Sequence, residues 1–166
     1  SLLEVGGNNF LNMLFNSVYF SVGHAFLAQF TTMTFAYCCT KYKFPGSKLP
    51  YLIILVMITL PIYGTGGAMY KIYHALGWIN NYAIILTSAG GFTINFLYYR
   101  AYYKNVSWSY AEAAMMDGAD DFQIYGKVMF PLGKPIFGAL FLADWLTTWN
   151  SYSTELVYYP KLPTLP

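Results

Sequence analysis

Four residues toward the C-terminal end of the chain have the types and spacing to act together. Asp144, Thr148, Ser151 and Glu155 follow one another at intervals of four, three and four, which places two carboxylates and two hydroxyls along one helix face. Leu142, Trp145, Trp149, Tyr152 and Leu156 fall on a different, apolar face, and Asn150 is placed to cap or to bond across helices. Such a stripe can line an aqueous path for a polar solute, or it can bond to neighbouring helices; the sequence leaves both readings open. Catalytic and metal chemistry find no such constellation. His24 and His74 are far apart and lack a partner motif, so no catalytic residue, metal set or cofactor is assigned. His24 shares a small, polar stripe with Ser17, Ser21, Ala28 and Thr31, a pattern suited to close helix packing. Cys38 and Cys39 are adjacent, which disfavours an unstrained disulfide, and they read as small apolar filler.

The elements that carry these residues are apolar to an unusual degree. Asp144 lies in a run from Pro135 to Tyr159 in which Glu155 is the only other charged residue. A charge at the centre of a membrane helix costs about 2.5–3.5 kcal/mol on insertion scales, so it faces a bundle interior or a water-filled cavity. The whole chain has 166 residues, 57% of them hydrophobic, 20% aromatic and only 10% charged. A soluble domain carries about 25% charged residues, so lipid must serve as part of this chain's solvent. A net charge of +2, without any Lys/Arg cluster, argues against nucleic acid.

About 20 mostly apolar residues span a bilayer as a helix, and four stretches meet that requirement. They predict helices near 12–40, 50–73, 82–104 and 135–158. Pro61, Gly64, Gly66 and Gly67 should kink or unwind the second, and Gly90 and Gly91 should let a neighbour approach the third. Tyr98, Tyr99, Tyr102 and Tyr103 read as an interfacial aromatic belt. Lys41, Lys43, Lys48, Arg100, Lys104, Lys127 and Lys134 lie in or beside the first and third connections, against Lys71 and Lys161 on the other side. Cytoplasmic loops carry the excess of Lys and Arg, so those two connections are expected to face the cytoplasm.

The third connection, residues 105–134, reads as two short helices with a turn between them. Ser109 and Glu112 have capping-box spacing. Asp117-Gly118 is suited to close the first helix, because glycine tolerates the left-handed conformation. Asp120 and Asp121 fall in the first turn of the second helix, where they complement its dipole. Phe122, Tyr125 and Met129 are expected on one apolar face, and Pro131 is expected to end the helix. Ala111, Ala114 and Gly118 would offer a small-residue surface to a partner; the plainer reading is a simple connecting loop.

These residues resemble the cytoplasmic signature of the permease subunits of binding-protein-dependent ABC importers: Glu-Ala-Ala, three residues, Gly, nine residues, Ile-x-Leu-Pro. The chain has Glu112-Ala113-Ala114, three residues, Gly118, nine residues, then Val128-Met129-Phe130-Pro131. The spacing is kept throughout, and the two changed positions remain apolar. The longer string Glu-Ala-Ala-x-x-Asp-Gly-Ala is similar to the carbohydrate branch, the maltose-type permeases. Asn16-Ser17, Phe44-Pro45-Gly46, Leu76-Gly77 and Trp149-Asn150 support that branch. Ser107 stands where relatives often have proline, and either residue can begin a helix.

The resemblance implies an all-α membrane protein, a polytopic helical bundle with about four transmembrane helices plus a cytoplasmic coupling helix. Residues 1–166 would be one transmembrane permease domain, a fragment lacking the first and last helices of a six-helix permease. Glu112, Ala113, Ala114, Asp117, Gly118 and Pro131 would belong to the ATPase-coupling element. Asp144, Thr148, Ser151 and Glu155 would line a sugar path. Partners implied are an ABC ATPase subunit dimer, a second permease subunit in a heterodimer, an extracellular or periplasmic sugar-binding protein and membrane lipid. The location implied is the bacterial plasma (inner) membrane, crossed several times. The chain has no Gly-x-x-x-x-Gly-Lys-Ser/Thr phosphate loop, so ATP hydrolysis would fall to the partner. A fragment of a secondary transporter or channel is the competing expectation; it would place carboxylates in several helices, whereas the apolar runs confine them to the fourth.

Overall fold

The computed structural model describes residues 4–5, 8–42, 44–60, 66–90, 93–151 and 157–158. Its helices are α1 (Phe10–Lys41), α2 (Leu49–Thr59), α3 (Gly66–Ala75), a 3-10 helix (Tyr82–Ser88), α4 (Ile94–Asn105), α5 (Ser109–Met116), α6 (Asp121–Ile124), a π-helical turn (Tyr125–Met129) and α7 (Phe130–Trp149). A two-residue antiparallel pairing precedes them, with Glu4 opposite Asn9 and Val5 opposite Asn8. Among the described residues the remaining regular structure is all helical. One described helix, Asp121–Trp149, is both long and apolar enough to cross a membrane by length and composition. Its 29 residues correspond to about 43 Å of helix.

The chain divides into two compact units. The first comprises residues 1–28, 61–89 and 141–166; the second comprises 29–60 and 90–140. Both connections that the charge count assigns to the cytoplasm therefore belong to the second unit.

In the first unit, Tyr82 is the organising side chain. Its hydroxyl donates to Asn16 Oδ1 at 3.0 Å, and its ring stacks on Phe20 and meets Tyr19 edge-on. Burying Asn16 needs that partner, since an unsatisfied amide costs about 1–3 kcal/mol. An added Cβ at Gly23 would meet the tip of Ile85 at 2.9 Å, so α1 and the 3-10 helix lie in close contact there.

The second unit has an aromatic core. Met33, Tyr37, Phe96, Tyr99, Tyr103, Ile124 and Met129 are among its fully buried side chains. Two of the tyrosine hydroxyls find acceptors: Tyr99 donates to Gln29 Oε1 at 3.1 Å and Tyr103 to the Met129 carbonyl at 3.3 Å, whereas the buried Tyr37 hydroxyl has no hydrogen-bond partner among the described residues. The Tyr125 and Thr34 hydroxyls share a bond of 2.7 Å. Gly133 marks the tightest approach, because a Cβ there would collide with Met33 Cε and lie 2.8 Å from Tyr103 Oη.

Several expectations are revised. The second helix is not one element: α2 ends at Thr59 and α3 begins at Gly66, with the Pro61 to Thr65 stretch outside the described residues. The third is divided as well, into the 3-10 helix and α4, because Ala89 leaves helical geometry at φ −73°, ψ 59°. Gly90 stands at that break with open space around it, so it mediates no close approach; Gly91 lies outside the described residues. Of the expected tyrosine belt Tyr98 is exposed and Tyr102 half-buried, whereas Tyr99 and Tyr103 are buried. Pro131 does not end a helix but continues one, placed just inside α7 after the π turn. The helix it enters ends at Trp149, earlier than the expected 158.

Candidate functional site

The loop after α4 folds by local capping. At the end of α5, Gly118 adopts φ 80°. Its N–H reaches the Met115 carbonyl at 3.0 Å, and the Ala119 N–H reaches back to Ala114 at 3.0 Å. This pair of bonds is the Schellman closure, and glycine enters it without the Cβ penalty. Two residues later the chain re-enters a helix: Asp120 is extended and its carboxylate accepts from the Gln123 N–H at 2.7 Å. Asp117 and Gly118 thus close one helix and Asp120 opens the next.

The start of α5 differs from the capping box read from Ser109 and Glu112. Ser109 is the first residue of the helix, and Trp108 precedes it without a side-chain cap. Ser107 provides the local hydroxyl instead, accepting from the Ser109 N–H at 3.3 Å.

The packing decides which face of α5 is free. Ala111 is 0% exposed and belongs to the unit's core, and Ala114 is half-buried against it. These alanines therefore seat α5 on its own chain, which corrects the expectation that they are displayed. Glu112, Ala113, Asp117 and Gly118 are exposed. Beside them, Met116 and Phe122 are each 88% exposed, the most solvent-accessible large apolar residues of the chain among those described. Phe122 was expected to share an apolar face with Tyr125 and Met129. The π turn shifts the register, so Ile124 and Met129 are buried and Phe122 points away. Pro131 is exposed near the start of α7.

Hydrogen bonds tie this element to the first connection. The Tyr42 hydroxyl donates to Asp121 Oδ1 at 2.9 Å. Burial foremost, then the neighbouring Tyr37 hydroxyl and the Asp121 carboxylate, hold the Tyr42 pKa well above the ordinary tyrosine value. Lys41 donates to the Val106 carbonyl at 2.5 Å, and burial lowers its pKa.

The polar stripe of the fourth expected helix is only partly a helix face. Asp144 and Thr148 lie on α7; Ser151 lies beyond its end, with its N–H on the Thr148 carbonyl at 3.1 Å. Glu155 is outside the described residues. The Thr148 hydroxyl is 3.3 Å from His24 Nδ1, and the Trp145 indole N–H donates to Ser21 Oγ at 3.2 Å. Ser21 in turn donates to the Ser17 carbonyl at 2.7 Å. The small, polar stripe of α1 therefore bonds directly to α7, and Thr148 takes part in interhelical bonding. Trp145 was assigned to the apolar face; its indole N–H, the one polar atom of that side chain, makes the contact. Asp144 is half-buried, and its charge acts on the His24 ring.

An apolar, predominantly helical chain with a helix–turn–helix that leaves one face exposed between α4 and α7 has the build of a membrane permease. The chain belongs to the family described as "Binding-protein-dependent transport system inner membrane component", which matches residues 31–160. It is thus a membrane component of a transport system. It is 24% identical over 152 residues to the arabinooligosaccharides transport system permease protein AraQ of Bacillus subtilis, covering 92% of this chain and 54% of that protein. It is 28% identical over 141 residues to the diacetylchitobiose uptake system permease protein NgcG of Streptomyces coelicolor, covering 82% and 46%. Among solved structures, a bacterial ABC transporter involved in the import of the acidic polysaccharide alginate superposes with a TM-score of 0.73 at 27% identity, over 86% of this chain and 50% of that one. The chain spans about half the length of the curated relatives it matches.

Proposed function

We propose that the chain is the multi-pass membrane subunit of an ATP-driven importer of a sugar or oligosaccharide in the bacterial plasma membrane. It performs no catalysis of its own. An ABC ATPase dimer hydrolyses the nucleotide, a second permease subunit completes the path, and an external sugar-binding protein delivers the substrate. Residues 1–166 form a single permease domain within that assembly.

The carrying observation is the closed turn between α5 and α6, with Met116 and Phe122 each 88% exposed beside Glu112, Ala113, Asp117 and Gly118. Large apolar side chains exposed among polar ones mark a contact surface. Ala111 and Ala114 hold α5 against the second unit's core, so force applied to the exposed face is delivered to the helices behind it. Glu112, Ala113, Asp117 and Gly118 are the contact residues of this coupling element; Ala114 and Pro131 are positioning residues. Asp144 is the group assigned to the solute path, with Thr148, Ser151 and Glu155 extending it. The relatives named for arabinooligosaccharide and diacetylchitobiose transport support the carbohydrate class.

Met116→Cys in the full-length, assembled transporter tests the coupling role. A short bifunctional thiol reagent should join it to a cysteine introduced in the ATPase subunit, and the crosslinked complex should lose uptake. If the pair never crosslinks, and Met116→Asp leaves uptake unchanged, the loop is not the coupling element.

A further inference from the structure

A cleft of about 540 Å³ opens in the second unit between the end of α1, the loop before α2, α2 itself and α4. Its lining includes Lys48, Arg100 and Lys104, with Thr40, Ser47 and Tyr51 among the polar side chains beside them. No carboxylate is among its lining residues. Three cations sharing a cavity without a counter-ion repel one another, and the arrangement is favourable only when an anion enters.

Arg100 is the most informative of the three. Its guanidinium lies over the Tyr51 ring, with Cζ 4.3 Å from the centroid. Its Nη1 is buried and has no hydrogen-bond partner among the described residues. A buried charged donor without an acceptor is costly. A planar guanidinium held on an aromatic face is shaped for two parallel bonds to a phosphate or carboxylate. Lys48 and Lys104 are exposed ammonium groups, free to close on the remaining oxygens.

Leu97 and Ala101 of α4 give the cleft an apolar side, and α2, which contributes Tyr51 to the lining, carries exposed apolar residues outside it. Leu52, Ile53, Leu55 and Val56 on α2 are all exposed, and Ile54 is the helix's buried side chain. A phosphate head group in the cleft would leave its hydrocarbon chains against that surface. We propose that the cleft binds a phosphate group through Arg100, Lys48 and Lys104, and that an anionic membrane lipid supplies it. Basic pockets between helices at the membrane boundary suit such head groups. The site is separate from the exposed face of α5 and does not depend on the transport reading.

The full-length transporter in nanodiscs of phosphatidylcholine, with or without phosphatidylglycerol, tests this. Lipid retained by the protein is counted by native mass spectrometry, and the melting temperature is followed in parallel. The wild type should retain phosphatidylglycerol selectively and melt higher in its presence. Lys48→Gln with Lys104→Gln changes two exposed side chains and leaves the core intact. At about fivefold per cation near the surface, the pair should weaken retention about 25-fold, and Arg100→Gln should abolish the melting shift. Inorganic phosphate added to phosphatidylcholine nanodiscs forms the other arm. A rise in melting temperature that the lysine pair removes, without phosphatidylglycerol retention, would assign the site to a soluble phosphate and overturn the lipid as its source. Equal retention and equal melting of wild type and variants in every arm would overturn the site.

Discussion

Replacing Gly118 separates backbone geometry from side-chain contact. The residue adopts φ 80°, and nothing lies within 4 Å of the position a Cβ would take. Alanine therefore meets no neighbour, and its whole cost is conformational, about 1–2 kcal/mol for a left-handed residue with a Cβ. That corresponds to roughly a five- to thirtyfold fall in the population of the closed turn, since 1.4 kcal/mol is about tenfold. Asparagine tolerates this region better and should fall between glycine and alanine. Proline cannot reach it: its ring holds φ near −65° and it has no N–H, so the 3.0 Å bond to the Met115 carbonyl disappears as well. Our prediction is an ordered series in reconstituted full-length transporter, Gly above Asn, Asn above Ala, and Pro nearly inactive. Uptake into proteoliposomes and substrate-stimulated ATP hydrolysis are the readouts, with membrane insertion unchanged in all four. Proline transporting as well as glycine, or alanine failing as completely as proline, would refute the argument from the turn.

Other predictions rest on single contacts. Gly133→Ala should destabilise the transporter by about 1–3 kcal/mol through overpacking; Met33→Ala should restore part of the loss, because Tyr103 Oη, 2.8 Å from the new Cβ, remains in place. Thermal melting of the double and single variants checks this. Asp120→Ala removes the acceptor of the Gln123 N–H and should cost about 1 kcal/mol, read as faster amide exchange across α6. Trp145→Phe keeps an aromatic ring, smaller than the indole, and loses the 3.2 Å bond to Ser21; the lost bond alone should lower stability by about 0.5–1.5 kcal/mol in the same melting assay. The raised Tyr42 pKa makes its contribution fully present below the unfolded value near pH 10 and lost as pH rises through the folded value. Between about pH 10 and 11 the wild type should therefore lose stability more steeply than Tyr42→Phe; identical slopes would sink this account.

The parts of the fold that were legible in the sequence are those written in local chemistry. Asp117-Gly118 followed by Asp120 specifies a helix end and a helix start within four residues, and both form as expected. The family signature around Glu112 is likewise a matter of spacing, and the family match covers it. What escaped depends on partners distant in the chain. Tyr99 and Tyr103 look like belt residues until Gln29 and the Met129 carbonyl are found facing them. Ala111 and Ala114 look available until the core of the second unit is seen behind α5. The break near Ala89 separates two helical pieces that an apolar run alone cannot distinguish from one. Trp145 carries a polar atom that a hydrophobic pattern ignores. Pro131 follows a π turn, so the usual rule that proline stops a helix did not hold at that position.

The π turn also fixes a count. Ile124, Met129 and Gly133 are all buried, at intervals of five and then four. In a regular α-helix five residues would carry the second of these about 140° around the axis from the first, about 100° beyond a four-residue step, so the surplus residue in 125–129 works as a phase correction between the α5–α6 turn and the helix that follows. The number of residues from Phe122 to Gly133 is then as constrained as their identities. Inserting or deleting one residue within that interval would rotate Phe122 to another point of the compass relative to Gly133, while leaving the remaining side chains chemically intact.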